Sequence, residues 1–124
     1  MSRPIHFDFT ADNPERVAAF YSDVFGWKFQ KWEAEGAPDY WLITTGEKDE
    51  MGIDGGMSRR DGRKAVTINT IGVPSVDEFT AKISAGGGKV TAPKMPIPGV
   101  GWLAYFEDPD GTSFGIIESD ESAS

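Results

Sequence analysis

The stretch Asn13-Pro14-Glu15-Arg16-Val17-Ala18-Ala19-Phe20-Tyr21-Ser22-Asp23-Val24-Phe25-Gly26 decides the fold, because its pattern returns 62 residues further on. Asparagine before proline pairs a helix N-cap with the residue best suited to the first helical position, and Glu15 favours the positive helix end. Val17, Phe20, Tyr21 and Val24 keep i, i+3, i+4, i+7 spacing, and Gly26 supplies a left-handed stop, so a helix is predicted over 14–25. Ser75-Val76-Asp77-Glu78 then has capping-box spacing ahead of Phe79 and Ile83, and Gly86-Gly87-Gly88 closes a second helix. Asn13 and Ser75, Val17 and Phe79, and Tyr21 and Ile83 each differ by 62, whereas Lys28 and Lys89, past the glycine stops, differ by 61.

Strand patterns surround both helices. Residues 5–9 alternate, placing Ile5, Phe7 and Phe9 on one face and His6 and Asp8 on the other. Residues 27–32, 40–45 and 51–57 read as short strands, parted by Gly36-Ala37-Pro38 and by Gly46-Glu47-Lys48-Asp49. Residues 65–73 precede the second helix, and 89–91, 102–106 and 113–118 follow it, with Asp108-Pro109-Asp110-Gly111 as a strong turn. The order strand, helix, three strands therefore occurs twice. This predicts an α+β fold of two βαβββ modules, about 4–60 and 64–119, in a single domain over 1–119, with 120–124 a fraying polar tail. A module of about 60 residues buries little surface by itself, so the two are expected to share one core, and a fragment ending near Gly62 is not expected to fold alone.

Twenty acidic residues against twelve basic ones give a net charge of -8, which repels phosphate backbones and anionic membranes and excludes nucleic acid as an expected partner. Neutral or cationic small ligands are compatible with it. Cysteine is absent, which removes disulfides, thiol nucleophiles and thiolate metal sites. His6 is the single histidine, so any imidazole chemistry must use it. The first residues carry no apolar run of signal length and nothing approaches a membrane span, so a cytoplasmic location is expected.

Asn13-Pro14-Glu15-Arg16 leading to Phe20-Tyr21 and Val24-Phe25-Gly26-Trp27, with the aromatic strand Ala104-Tyr105-Phe106 feeding Glu107-Asp108-Pro109-Asp110-Gly111, resembles the vicinal oxygen chelate superfamily of glyoxalases, bleomycin-resistance proteins and extradiol dioxygenases. The resemblance covers nearly the whole chain. It implies one cupped mixed sheet with helices on its outer face, a small-molecule ligand in the cup, and pairing into a homodimer. Members range from isomerases and oxygenases to proteins that sequester a drug without catalysis.

The resemblance also implies a divalent metal held by inward residues of the first and last strand of each module. His6 matches the first-strand position, and Asp54 matches in part, as a shorter carboxylate. The repeat offsets lead from these to Ile68 and Gly115, which have no lone pair for a metal, although a register shift would bring Asn69 or Thr67 inward instead. Two ligands fall short of the three that a catalytic ion usually keeps, so no cofactor is expected, with a divalent metal as the alternative. His6 then becomes a strand histidine hydrogen-bonded to Asp8 or touching a ligand.

The candidate ligand-binding residues are His6, Asp8, Trp41, Asp54 and Trp102. Pro98-Gly99-Val100-Gly101 lacks the third glycine of a dinucleotide fingerprint and reads as a mobile loop over 96–101. After it, Trp102 either closes over a ligand or packs beside Ala104 and Phe106. The function expected is small-molecule binding with an incomplete metal site; the alternative is a metal-dependent lyase, isomerase or dioxygenase using His6 and Asp54.

Overall fold

In a computed structural model the described residues are 2–33, 36 and 38–124. Ala37, in the predicted Gly36-Ala37-Pro38 break, lies outside them, as does Met1 at the start of the predicted domain. The elements in order are β1 (Pro4–Ala11), α1 (Pro14–Phe25), β2 (Lys28–Lys31), β3 (Tyr40–Thr44), β4 (Asp54–Arg59), β5 (Thr67–Gly72), α2 (Val76–Ala85), β6 (Lys89–Ile97), β7 (Gly101–Glu107) and β8 (Ser113–Ser119). This is the predicted pair of βαβββ modules, with mixed parallel and antiparallel strand pairing. Among the described residues no helix is long and apolar enough to cross a membrane.

The chain forms two compact units, His6–Thr67 and Ile68–Ser124, the latter together with the first five residues. In the first unit β2 pairs with β3 and β3 with β4, both antiparallel, and β4 pairs with β1 in parallel, His6 standing opposite Asp54 and Asp8 opposite Gly56. Asn13 Oδ1 accepts from the Arg16 N–H at 3.2 Å, and Gly26, at φ 77°, ends α1. The helix packs over one sheet face, where Ala11, Trp41, Ile43 and Met57 are buried with Phe7, Phe9, Phe29 and Val17 around them.

In the second unit β6 pairs with β7 and β7 with β8, antiparallel, and β8 pairs with β5 in parallel. Ser75 Oγ caps α2 by accepting from the Glu78 N–H at 3.1 Å. Val73, Val76, Ala104, Phe106 and Ile116 form this unit's buried cluster. Each module carries a buried cluster, because each helix has the apolar face of its own strands to bury against.

Two expectations at the far end of the chain are corrected. Strand β6 runs on to Ile97, well past the predicted stop at Thr91, so residues 96–101 are a tight hairpin connection and not a mobile loop. The Val100 N–H donates to the Ile97 carbonyl at 2.9 Å, and a Cβ at Gly101 would collide with the Glu118 carbonyl. The tail 120–124 is held down. Ala123 is buried, its carbonyl accepts from the Gly99 N–H at 3.0 Å, and the Asp120 N–H donates to the Val100 carbonyl at 3.0 Å.

Candidate functional site

Alternation along β1 sends Phe7 and Phe9 towards α1 and His6 and Asp8 to the opposite face. On that opposite face three side chains converge. The Tyr40 hydroxyl, from the start of β3, donates to Asp8 Oδ1 at 2.6 Å and lies 3.4 Å from His6 Nε2, while Nε2 lies 3.2 Å from Asp8 Oδ2. The Tyr40 hydroxyl thus reaches both the carboxylate and the imidazole, which stand two residues apart on one strand face. The side chains of His6 and Asp8 are 34% and 23% exposed, enough for a ligand to reach them.

Gly56 makes this arrangement possible. It stands opposite Asp8 on the neighbouring strand, and a Cβ there would run into the Tyr40 hydroxyl and lie 2.6 Å from Asp8 Oδ1. Its backbone does not need glycine for conformation, because its φ is not positive; the requirement is space. Tyr40 was not among the residues singled out from the sequence. The Gly55-Gly56 pair inside a strand was the available signal, since glycine in a strand interior marks a close approach by a neighbour.

The other candidates fall elsewhere. Trp41 has the same parity on β3 as Ile43 and is buried on the helix side, 7% exposed, with Lys31 Nζ 5.5 Å and Arg59 Cζ 5.9 Å from its ring centre. Trp102, in the second unit, packs against the cluster of Ala104 and Phe106, and its Nε1–H donates to Asp120 Oδ2 at 3.0 Å. Asp120 is held below the usual carboxylate range, first by the Ser122 hydroxyl (2.6 Å) and then by the Trp102 indole. Asp54 pairs with His6 along the ladder, but its carboxylate turns to the end of β3. There Oδ1 accepts from the Thr45 N–H at 2.8 Å and lies 3.2 Å from the Thr45 hydroxyl. A cleft of about 380 Å³ on the helix side, lined by Phe7, Phe9, Tyr21, Trp27 and Val66 among others, contains none of the convergent polar groups of the His6 face.

The residues do not fit the divalent metal that the resemblance implied. Asp8 opposite Gly56 in the first module answers to Thr70 opposite Gly115 in the second. The offset is therefore 62 on the opening strands and 59 on the closing strands, so the counterpart of Gly115 is Gly56 and not Asp54. Both closing-strand positions are glycine, and Ile68 offers no donor. Among the described residues no group of three or more His, Asp or Glu side chains converges.

Two βαβββ modules with parallel pairing of the first and last strand in each define a class of paired-module α+β domains. The profile of the glyoxalase/bleomycin resistance protein/dioxygenase superfamily matches residues 3–116, and the chain belongs to that superfamily. The CFP32 protein of Mycobacterium bovis is 29% identical over 108 residues, covering 86% of this chain and 40% of CFP32. Lactoylglutathione lyase of Haemophilus influenzae is 27% identical over 118 residues, covering 89% of this chain and 87% of the lyase. Among solved structures, methylmalonyl-CoA epimerase from Mycobacterium tuberculosis superposes with a TM-score of 0.72 at 10% identity, covering 94% of this chain and 87% of the epimerase, a likeness of fold alone. The chain spans less than half the length of the first curated relatives it matches.

Proposed function

We propose that this chain binds a small organic molecule on the sheet face of its first module, through His6, Asp8 and Tyr40, and does so without a stoichiometric metal ion. The observation that carries this reading is the cluster of His6, Asp8 and Tyr40 seated on Gly56. A tyrosine, an imidazole and a carboxylate are held partly exposed in one fixed pattern, with the glycine clearing space for the hydroxyl. Fixed donors and acceptors of this kind bind a ligand at little cost in side-chain ordering. Superfamily membership supports a small molecule as the ligand, since a solved relative is a methylmalonyl-CoA epimerase in complex with methylmalonyl-CoA. The metal-dependent alternative with His6 and Asp54 loses support because the Asp54 carboxylate caps the end of β3.

Thermal-shift screening of metabolites tests the reading, since a ligand at 100 times its dissociation constant adds about 2.7 kcal/mol. The shift should vanish in His6→Ala and Asp8→Ala; ligands that stabilise both variants as well as the parent would place binding elsewhere. Elemental analysis finding about one equivalent of metal per chain, lost in His6→Ala, would overturn the metal-free part. The protein is also taken to act as a homodimer, a reading supported by the large apolar side chains Phe20, Val24 and Phe25 exposed along α1. Sedimentation as a 13.5 kDa species at tens of micromolar would refute it.

A further inference from the structure

We infer that the ligand is an organic cation: an amine whose ammonium group is held at Asp8 and whose apolar body lies on Trp32 and Leu42. This rests on the His6–Asp8–Tyr40 face being the binding site. Asp8 Oδ1 accepts one hydrogen bond, from the Tyr40 hydroxyl, and Oδ2 lies 3.2 Å from His6 Nε2, whereas a carboxylate offers about four lone-pair directions. Capacity for further N–H donors therefore remains.

Two of the module's guanidinium groups are engaged elsewhere. Arg59 is committed to Asp39 at 3.1 Å and Glu15 at 3.6 Å, and Arg60 to Asp12 at 2.8 Å. Counting positions of one parity along β1, β4, β3 and β2, this face carries Asp8 and Asp54 against Lys28, which sits opposite Thr44 on the outermost strand pair. A partly buried carboxylate without a full counter-charge gains from a cation, and the desolvated half of the site strengthens that attraction.

The apolar half lies beside it. Trp32, just past β2, donates its N–H to the Tyr40 carbonyl at 2.8 Å, and its ring meets the Tyr40 ring edge-on at 6.3 Å. Leu42 stands opposite Gly56. Trp32 is 48% and Leu42 44% exposed, large apolar side chains left open beside a carboxylate. An indole and a phenol next to an anion attract an ammonium group through their ring faces as well as through charge. An anionic ligand on this face would meet the Asp8 and Asp54 carboxylates.

The test compares benzylammonium, benzyl alcohol and benzoate as probes on the full chain, with binding followed by NMR shifts of the Tyr40, Trp32 and His6 signals. Benzylammonium should bind about 10-fold tighter than either other probe, and the preference should fall to within about 3-fold in Asp8→Asn. Trp32→Ala, at an exposed site, should weaken all three probes together. Benzoate or benzyl alcohol binding at these residues as well as benzylammonium would refute the cation while leaving the site intact. A preference that survives Asp8→Asn in a folded protein would refute it also. If no probe moves these signals, the cation and the site fall together.

Discussion

The space at Gly56 is the feature on which the whole cluster depends, and Gly56→Ala tests it directly. The added methyl would meet the Tyr40 hydroxyl and sit 2.6 Å from Asp8 Oδ1, so Tyr40 must leave its position opposite Asp8. The Tyr40–Asp8 hydrogen bond, at 2.6 Å to an ionised acceptor, is worth about 1.5–3 kcal/mol, and forcing volume into a packed position typically costs about 1–3 kcal/mol more. Gly56→Ala should therefore destabilise by roughly 2.5–6 kcal/mol. In a Tyr40→Ala background the clash is gone, and replacing a strand glycine gains about 0.5–1 kcal/mol from backbone entropy, so the same change should be close to neutral. The coupling energy from the double-mutant cycle should then exceed about 2 kcal/mol. Urea denaturation of the four proteins, followed by tryptophan fluorescence, measures it. A Gly56→Ala penalty of the same size in both backgrounds would refute the claim that Tyr40 occupies that space.

Trp41→Ala should cost about 3–5 kcal/mol in the same assay, because the ring is buried among Ile43, Met57 and Ala11; a change below about 1 kcal/mol would mean that it faces a ligand and not the core. Asp120 gives a pH dependence. Its folded carboxyl lies below its unfolded value, so the stability it contributes is present above the usual aspartate pKa of about 3.9 and is lost as pH falls through the depressed value. The melting temperature of the parent should therefore drop more steeply below about pH 4 than that of Asp120→Asn, and parallel curves would count against the tail contact. Dialysis against chelator should leave the melting temperature unchanged, and His6→Ala should keep its circular-dichroism spectrum; a chelator-induced fall restored by one divalent ion would contradict the reading of the site.

The helices were legible because their signals are local: Asn13-Pro14 and Gly26 fix α1 to the residue, and Ser75 with Glu78 fixes the start of α2. Strand parity was legible too, and it places both tryptophans on the helix side once Ile43, Ala104 and Phe106 are recognised as core. Strand β6 was not, because Pro93, Pro96 and Pro98 interrupt any local strand pattern beyond Thr91. An edge strand that pairs on one side alone tolerates proline, and the register shifts between Val90 and Ala92 and between Ala92 and Met95 absorb the misfit. The docked tail depends on the Gly99 N–H meeting the Ala123 carbonyl, a contact 24 residues apart along the chain with no local pattern to announce it. Tyr40 escaped for the same reason: its partners lie 32 and 34 residues away.

The two closing-strand glycines explain why a metal centre and the present cluster are alternatives. In the second module a Cβ at Gly115 would lie 3.0 Å from the Tyr105 ring and 3.3 Å from Thr70 Oγ1, a tight fit that small shifts relieve. There the residue answering to Asp8 is the buried Thr70, so that module repeats the geometry without its charge. In the first module the same slot is filled outright by the Tyr40 hydroxyl. A glutamate introduced at Gly56 alone would have no room, and removing Tyr40 alone would leave Asp8 Oδ1 without its donor while supplying no new ligand. Passing from the phenol arrangement to a chelating one thus requires both changes together, and each single step destabilises the site. The steric fit at Gly56 therefore holds His6, Asp8 and Tyr40 in the present arrangement.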